Sequence, residues 1–194
     1  MALDAYANRL RKEEWFVKDI SMQEAKSFIV EHHYARGCSH TRVYSHGLFH
    51  HQTADVLMGV ALWLPPTKVA AQSVNDNWQR VLSLSRLAVH PSVPKNGASF
   101  LLSRSIKAIA KDKKWVSLVT YADERQGHIG TIYHATNWQY IGKMKGSMGW
   151  IDPATGRQVS IKATKSRTKK DMLDLGYEPV GVFQKHKFVL HLPA

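Results

Sequence analysis

The sequence predicts an α/β (α+β) domain whose mixed sheet is flanked by helices. Two strongly apolar strand segments, residues 81–89 and 115–122, enclose a loop and a helical segment over 98–112. With this central segment included, the strand and helix patterns along the chain follow the order β-α-β-β-β-α-β-α-β, without an internal repeat. The 194 residues, 44% of them hydrophobic, suffice for one domain with a packed core.

The first half of the chain is delimited by caps and turn residues. Ser21-Met22-Gln23-Glu24 has the pattern of a capping box, and apolar residues recur from there to about Arg36 at helical spacing. Pro65-Pro66 ends a strand pattern, and the next segment is rich in Ser, Asn and Asp. The predicted strands cover residues 15–17, 42–50 and 56–64, and residues 67–79 are predicted as a loop.

The second half contains one clear turn signal and several shorter patterns. Pro153-Ala154-Thr155-Gly156 lies between two strand-like segments and predicts a hairpin. Gly176 favours the end of a short helix. The remaining predictions are a short helix over 126–137, a strand over 138–142, the hairpin over 149–162, a helix over 169–175 and a strand over 180–192.

The charge of the chain indicates a polyanionic partner. Lys and Arg number 27 against 15 Asp and Glu, a formal charge of +12. Residues 142–170 hold eight of these bases and a single acid, Asp152, a pattern typical of nucleic-acid binding. An acidic protein, a membrane surface or a solvated face is the alternative. The nucleic-acid contacts that we predict within this basic stretch are Lys143, Lys145, Lys165, Arg167, Lys169 and Lys170, and Trp78 and Trp150 are candidates for meeting an extruded base.

Several classes of protein are disfavoured. A single cysteine, Cys38, cannot form an intramolecular disulfide or a cysteine-rich zinc site. The longest apolar segment, residues 56–64, is about half as long as a membrane span. The first residues have no apolar core of a secretory signal. We therefore expect a soluble, cytoplasmic protein.

The loop between the two central strands has features of an anion-binding turn. Residues 93–99 contain Gly97, which lets the backbone approach a ligand, and they lead into a helix whose first amides attract anions. The loop resembles the pyrophosphate-binding loop of the GNAT acyltransferases, although Pro94 and Ser99 replace that family's usual first and last residues. The candidate cofactor-binding residues are Lys95, Asn96, Gly97, Ala98 and Ser99.

Longer blocks of sequence resemble the phage Mom family of DNA-modification proteins. They occur in one order from about residue 20 onward: Leu84-Ser85-Arg86-Leu87, residues 94–102, residues 118–123, residues 126–138, residues 165–169 and residues 185–188. The resemblance implies a GNAT-like single domain with a mixed, mostly antiparallel twisted sheet, in which residues 143–170 form a basic insertion. It further implies conversion of adenine in double-stranded phage DNA to N6-(carbamoylmethyl)adenine, which protects the DNA from host restriction, by a phage or prophage protein in the bacterial cytoplasm.

Three candidate residues lie on or after the central strands. Asp123 follows a predicted buried strand at the end where ligands bind in open α/β sheets, so its carboxylate is a candidate proton acceptor or metal ligand, and a helix N-cap is the alternative. The resemblance implies that Tyr133 protonates the leaving group, and a core aromatic is the alternative. Arg86 interrupts apolar neighbours and is a candidate for stabilising anionic charge, with a structural ion pair as the alternative.

The resemblance also marks His33 and Tyr34 at the end of the first helix as functionally important. With Asp123 they supply nitrogen and oxygen ligands that suit iron, so we expect a possible iron site. An interaction of the histidines with the helix dipole is the alternative.

The product that the resemblance implies leaves the donor open. Acetyl transfer alone would yield N6-acetyladenine, whereas a carbamoylmethyl group contains a new N–CH₂ bond and an amide nitrogen. Acetyl-CoA with a metal-assisted step is one route, and a glycine-derived donor such as glycyl-tRNA, which would make tRNA a second partner, is the other. The alternative functions are an ordinary GNAT N-acetyltransferase and a non-enzymatic basic nucleic-acid-binding module.

Overall fold

The computed structural model describes residues 9–159, 161, 164, 166 and 168–193. Its strands are β1 (Trp15–Asp19), β2 (Tyr44–His50), β3 (Gly59–Leu64), β4 (Val81–Val89), β5 (Ser117–Asp123), β6 (Gln139–Lys143), β7 (Ser147–Asp152), β8 (Arg157–Val159), β9 (Glu178–Phe183) and β10 (Lys185–His191). Its α-helices are α1 (Met22–His32), α2 (Lys68–Gln72), α3 (Gly97–Lys111), α4 (Thr131–His134) and α5 (Lys169–Asp174). Short 3-10 helices cover Trp78–Arg80 and Glu124–Gln126.

The strands form two sheets. Seven of them are ordered β1-β2-β3-β4-β5-β10-β6, and a three-stranded sheet has the order β8-β7-β9. Strands β1 to β4 pair antiparallel with their neighbours, whereas β4 and β5 are parallel. The predicted mixed α+β class is therefore confirmed.

The chain divides into two compact units. The first comprises residues 1–120, 131–140 and 188–194, and the second comprises residues 121–130 and 141–187. Both the Tyr121–Gly130 segment and the basic stretch belong to the second unit. Asp123 and the described nucleic-acid candidates, Lys143, Lys145, Lys169 and Lys170, are thus parts of the same compact unit.

The first unit is built on packing of helices against the larger sheet. The capping box at Ser21 is present, with its hydroxyl accepting from the Glu24 amide and the Glu24 carboxylate accepting from the Ser21 amide. It starts α1, whose buried Phe28 and Ile29 pack in a cluster with sheet residues such as Phe49, Val60 and Leu62. Burial of such side chains contributes about 1.5–3 kcal/mol each to folding.

The second unit has its own small core. Trp150 on β7 and Met172 on α5 are fully buried. Both terminal nitrogens of the Arg125 side chain donate to the Trp150 carbonyl at 3.3 Å. The guanidinium also lies 5.4 Å from the centre of the Phe183 ring. These contacts attach the segment that follows Asp123 to the three-stranded sheet.

Three element predictions are corrected by the structure. Residues 180–192 form parts of two strands in different sheets, because the chain leaves one sheet after Phe183 and enters the other at Lys185. The predicted loop over 67–79 contains α2, which Thr67 caps through its side chain. The short helix predicted over 126–137 is reduced further, to a 3-10 turn and the four-residue α4, because Gly127 and Gly130 adopt positive φ between them.

The other predictions hold within a few residues. The hairpin around residues 153–156 is formed by β7 and β8. Helix α1 ends at His32, four residues earlier than predicted. Within the described residues, none of the helices has both the length and the apolar character that crossing a membrane requires.

Candidate functional site

The first unit contains a fork between the two parallel strands. Strands β4 and β5 pair only at Val81–Ser117, Leu82–Leu118 and Ser83–Val119. The next positions along the strands, Leu84 and Thr120, mark the apex of the fork, where the Thr120 hydroxyl donates to the Leu84 carbonyl at 3.4 Å. Beyond this point β4 continues to Val89 without pairing with β5, so this edge of β4 is open to a ligand.

A β-bulge lies at the apex of the fork. Leu62 pairs with Arg86 and Trp63 pairs with Leu84, so Ser85 is an extra residue on β4. Bulges bend a strand and redirect its side chains, and they are frequent next to functional sites. The bulge helps β4 to diverge from β5.

Arg86 follows the bulge and is held by backbone carbonyls. Its Nε donates to the Gly37 carbonyl at 2.9 Å, and a terminal nitrogen donates to the Ser85 carbonyl at 2.7 Å. Among the described residues no carboxylate lies within ion-pair distance of this guanidinium, so the alternative of a structural ion pair does not hold. Arg86 ties the segment after α1 to the strand that forms the fork.

Tyr133 lies next to the apex of the fork. Its side chain is 9% exposed, and its ring packs 5.1 Å from Phe188 and 5.7 Å from Trp138. Burial raises the pKa of the Tyr133 hydroxyl, and a hydrogen bond with Thr120 acts in the opposite direction. The tyrosine is thus a core aromatic whose protonated hydroxyl meets Thr120 where the strands separate.

The start of α3 has the geometry of an anion-binding turn. Asn96 occupies the N-cap position, but its side chain does not cap the helix. Instead its Oδ1 accepts from the Leu10 amide at 2.6 Å. The amides of Ala98 and Ser99 in the first turn are therefore left to a ligand, and the positive end of the helix dipole favours an anion there.

The turn leaves no room for a side chain at position 97, so it requires glycine there. A Cβ at this position would lie 2.1 Å from Val93 Cγ1. The Gly97 amide donates to the Pro94 carbonyl at 2.8 Å, which closes the turn. The glycine lets the loop fold tightly against α3, as expected of a phosphate-binding loop.

Asp123 ends β5 in the second unit. Its Oδ1 accepts from the Arg125 amide at 3.1 Å, so it caps the following 3-10 helix. Its Oδ2 lies 3.5 Å from Lys185 Nζ, and its side chain is 17% exposed. Asp123 is therefore a helix N-cap, as the alternative predicted. Its carboxylate is mostly shielded from solvent and lies beside the Lys185 ammonium.

His33 and Tyr34 lie just past the end of α1. The His33 Nδ1 accepts from the Ala35 amide at 3.0 Å, and the two rings are 4.2 Å apart. His33 is 9% exposed, whereas Tyr34 is 43% exposed. No group of three or more His, Cys, Asp and Glu side chains in the described part of the chain is arranged to hold a metal ion.

The predicted nucleic-acid contacts differ in their surroundings. Lys143 Nζ lies 2.5 Å from Glu124 Oε1, and the Lys143 side chain is about half exposed. Lys145, Lys169 and Lys170 are exposed. Lys165 and Arg167 lie outside the described residues.

The two tryptophans proposed to meet an extruded base are placed differently. Trp150 is 1% exposed and belongs to the core of the second unit, so the structure excludes it as an exposed stacking surface. Trp78 is half-buried, and Lys68 Nζ lies 5.2 Å from the centre of its ring. Trp78 keeps an accessible face, and its contact with a base stays a prediction.

Two residues of the site escaped the sequence reasoning. Ser85 was quoted only within a motif, because a bulge has no sequence signal of its own. Thr120 is a polar residue inside the apolar run Leu118-Val119-Thr120-Tyr121-Ala122, and its 1% exposure shows that it needs an internal partner. A buried threonine in such a run was the available signal.

Comparisons with known proteins agree on family and fold. A profile of the Mom protein family matches residues 14–193. The Methylcarbamoylase mom of Escherichia phage Mu is 26% identical over 155 residues, which are 77% of this chain and 62% of that protein. The chain thus spans less than two thirds of the length of this relative.

The similar solved structures are GNAT acetyltransferases. NAA60 of Arabidopsis thaliana, in complex with a bisubstrate analogue, has a TM-score of 0.59 at 10% identity over 92% of this chain and 98% of that one. YncA of Salmonella typhimurium, solved with its cofactor acetyl-CoA, has a TM-score of 0.56 at 11% identity over 93% and 95%. These likenesses establish the GNAT fold of the chain.

Proposed function

We propose that this chain, which belongs to the Mom protein family, is a DNA-modifying transferase. It would convert adenine to N6-(carbamoylmethyl)adenine. One observation carries the proposal: the fork between β4 and β5 has Tyr133 at its apex and the glycine turn of α3 on the adjoining segment. A basic binding module needs neither feature. A transferase needs both, one to hold the donor and one to protonate its leaving group.

The donor class that best suits the shape of the fork is an acyl-CoA thioester. Because acetyl transfer alone forms an N6–C(=O) bond, this route to a carbamoylmethyl group also needs a nitrogen donor for the amide and a two-electron oxidant for the N–CH₂ bond. An extended pantetheine arm would pair with the β4 edge after Leu84, as an added strand does. Its pyrophosphate would bind the first-turn amides of α3 around Ala98 and Ser99, with Lys95 and Asn96 on the same turn. The acetyl-CoA of the similar yncA structure supports this class of donor.

A glycine-derived donor such as glycyl-tRNA is the competing choice. The glycyl group holds the same atoms as the carbamoylmethyl group in another order, so a rearrangement would give the product. The basic charge of the chain suits tRNA as well as DNA. Growth on isotopically labelled glycine separates the two donors, because only the glycine route places the glycine carbons and nitrogen together in the carbamoylmethyl substituent, which fragmentation separates from the purine ring.

The acceptor chemistry is assigned to three side chains. The N6 amine of adenine is a weak nucleophile, since its lone pair is delocalised, and it must lose a proton as it reacts. We assign Asp123 as the acceptor of that proton and Tyr133 as the acid that protonates the leaving group. Arg86 would stabilise negative charge that develops on the donor.

The proposal includes an iron-binding site but assigns no reaction step to iron. His33, Tyr34 and Asp123 offer a nitrogen and two oxygen donors, which is a set that iron accepts. A bound iron would supply Lewis-acid or redox chemistry for the amide-forming part of the reaction.

The second unit is proposed to contact double-stranded DNA. Lys145, Lys169 and Lys170 are exposed on it, and Lys143 belongs to the same surface. The unit also contains Asp123. Asp123, the proposed general base, and the described lysines that would contact DNA therefore belong to the same compact unit. Lys165 and Arg167 complete the predicted set.

Co-expression with a plasmid tests the proposed function. Plasmid DNA from cells that express the chain should resist restriction enzymes whose sites contain adenine, while DNA from cells expressing Asp123→Ala should be cut. Full cutting of DNA from cells with soluble, folded wild-type protein would contradict the proposal. The GNAT fold supports one second candidate, an N-acetyltransferase for another amine. It predicts coenzyme A binding and unmodified DNA.

A further inference from the structure

Gln126 carries a buried side-chain nitrogen that lacks a hydrogen bond. Its Nε2 has no hydrogen-bond partner among the described residues. The indole nitrogens of Trp138 and Trp150 share this state, but these tryptophans are core residues, 4% and 1% exposed. Gln126, in contrast, is a partly exposed residue. Burying an amide donor without an acceptor is costly, so an unpaired donor this close to the surface indicates that a ligand supplies the acceptor.

Gln126 lies one 3-10 turn beyond the proposed general base. Asp123 is the N-cap of the 3-10 helix Glu124–Gln126, and both residues belong to the second unit. Side chains three residues apart in a 3-10 helix lie above one another, so Gln126 extends on the same side of the turn as Asp123. A base whose N6 amine reaches Asp123 would therefore come within range of the Gln126 amide.

The other side chains of this turn are occupied by contacts that fix its backbone. Asp123 Oδ1 accepts from the Arg125 amide at 3.1 Å, and the Arg125 guanidinium donates to the Trp150 carbonyl at 3.3 Å. Glu124 Oε2 accepts from a backbone amide of the same unit at 3.3 Å. None of these contacts uses the Gln126 side chain. The turn is therefore held in place independently of Gln126, as a recognition residue requires.

A glutamine amide matches one edge of adenine. That edge presents the N7 acceptor beside the N6 donor, and a carboxamide binds both, through its nitrogen and its oxygen. On the corresponding edge guanine presents two acceptors, cytosine a donor and thymine an acceptor beside a methyl group. Adenine is thus the base that satisfies both polar atoms of the amide, and its N7 is an acceptor of the kind that the unpaired Nε2 lacks.

We propose that Gln126 is a specificity-determining residue that reads an extruded adenine at its N6–N7 edge. This inference rests on the proposed function. Nε2 donates to N7, and Oε1 accepts from the N6 hydrogen on the N7 side. The other N6–H bond, on the N1 side, is left free to react. Rotation about the last side-chain bonds of this partly exposed residue brings Nε2 from its buried position to the base, and the new bond recovers the cost of leaving the donor unpaired.

A single-atom change in the base tests this contact. In 7-deazaadenine a carbon replaces N7, so the base keeps its N6 donor but offers no acceptor to Nε2. The experiment measures binding of labelled G·C duplexes that contain one adenine or one 7-deazaadenine opposite an abasic site, because an unpaired base is extruded at little cost. Wild-type protein should bind the adenine duplex about tenfold more tightly. No group donor is present, so the result does not depend on the modification reaction.

Two variants at position 126 should lose the preference for adenine. Gln126→Met removes both polar atoms at similar size, and Gln126→Glu keeps the shape but replaces the donor by an oxygen, so each should bind the two duplexes equally. Gln126→Met removes an unpaired buried donor, so its midpoint of urea unfolding should equal or exceed that of wild type. Gln158 is an exposed glutamine on β8 of the same unit. The matched control Gln158→Met should keep the tenfold preference.

Several results would overturn the inference. They are equal binding of the two duplexes by wild-type protein, an intact preference in Gln126→Met, and loss of the preference in Gln158→Met. The comparison of duplexes with wild-type protein needs no variant, so it decides the question even if a substitution prevents folding.

Plasmid modification distinguishes failure of this inference from failure of the proposed function. Adenine modification by Gln126→Met at the wild-type rate would overturn the inference and leave the proposed function intact. A tenfold preference for adenine over 7-deazaadenine in a protein that leaves plasmid DNA unmodified would support the inference and contradict only the proposed function.

Discussion

The Thr120 hydroxyl donates a hydrogen bond of 3.4 Å to the Leu84 carbonyl at the first position where β4 and β5 no longer pair. The Thr120 side chain also acts on the buried Tyr133 hydroxyl, whose pKa it lowers against the larger, raising effect of burial. A side-chain bond thus replaces the next backbone pair of the parallel ladder. It fixes the apex of the fork and brings a phenol to it.

Removing the Tyr133 hydroxyl should separate catalysis from folding. Tyr133→Phe keeps the ring contacts with Phe188 and Trp138, so its free energy of unfolding should fall by only about 1 kcal/mol. DNA modification should fall about 100-fold or more, because the proposed leaving-group acid is gone. Quantified modified nucleosides and urea unfolding measure the two effects. Tyr177→Phe is the control, and equal activity of both variants would remove Tyr133 from the mechanism.

Adding a methyl group at Gly97 should disturb both stability and donor binding. The new Cβ would lie 2.1 Å from Val93 Cγ1, so Gly97→Ala should cost about 1–3 kcal/mol. The displaced turn should also weaken coenzyme A binding. Val93→Ala in the same chain should restore much of the lost stability, because it removes the clashing methyl group. Unfolding curves of the single and double variants test the pair, and additive losses would contradict the stated cause.

The buried His46 should make stability depend on pH. Its Nδ1 lies 2.7 Å from the Ser105 hydroxyl, and that hydroxyl accepts from Trp63 Nε1 at 2.7 Å. While it accepts from the indole, the hydroxyl can donate to Nδ1 of a neutral imidazole. Desolvation by burial lowers the pKa of His46, with Asp19 acting in the opposite direction.

The sign follows from proton binding. The unfolded chain takes up the His46 proton at higher pH than the folded chain does, so acid favours unfolding. The stability contributed by the neutral imidazole should be complete above about pH 6.5 and decline as the pH falls toward the lowered folded pKa. Unfolding free energies at pH 7.5 and 5.5 measure the decline. His46→Gln should lose this component of the slope, whereas the exposed His40→Gln should keep it.

The proposed DNA surface should show itself in the salt dependence of binding. Neutralising Lys145, Lys169 and Lys170 as methionines removes up to three phosphate contacts, so the slope of log affinity against log salt should become shallower by up to about 2.7. Titrations of a labelled duplex at several salt concentrations measure the slope. The matched control replaces exposed lysines of the first unit, Lys26, Lys107 and Lys111. An equal change of slope in both triple variants would assign binding to net charge alone.

The sequence predicted those parts of the fold that depend on local signals. The capping box at Ser21 and the turn at residues 153–156 are read directly from neighbouring residues, and both are present. The change of sheet between Phe183 and Lys185 was missed, because both strands continue the same apolar pattern across Gln184. Nothing in that pattern encodes which sheet receives a strand.

The candidate site was predictable by residue but not by arrangement. Asp123, Tyr133 and Gly97 were predicted from their positions and from the family resemblance. In the structure Asp123 caps a 3-10 helix, Tyr133 is a buried aromatic and Gly97 lies in a tight turn. The Ser85 bulge depends on strand register. Register is set by long-range pairing, which a single sequence does not display.

The most direct test of the central claim is fragmentation mass spectrometry of nucleosides from plasmid DNA co-expressed with the chain in cells grown on labelled glycine. We predict deoxyadenosine that carries an N6-carbamoylmethyl group, whose fragments distinguish it from the glycyl isomer and from N6-acetyladenine. The isotope content of the carbamoylmethyl fragment, measured separately from the purine ring, then shows whether glycine is the donor. Unmodified deoxyadenosine, or N6-acetyladenine alone, from cells with soluble, folded protein would contradict the account.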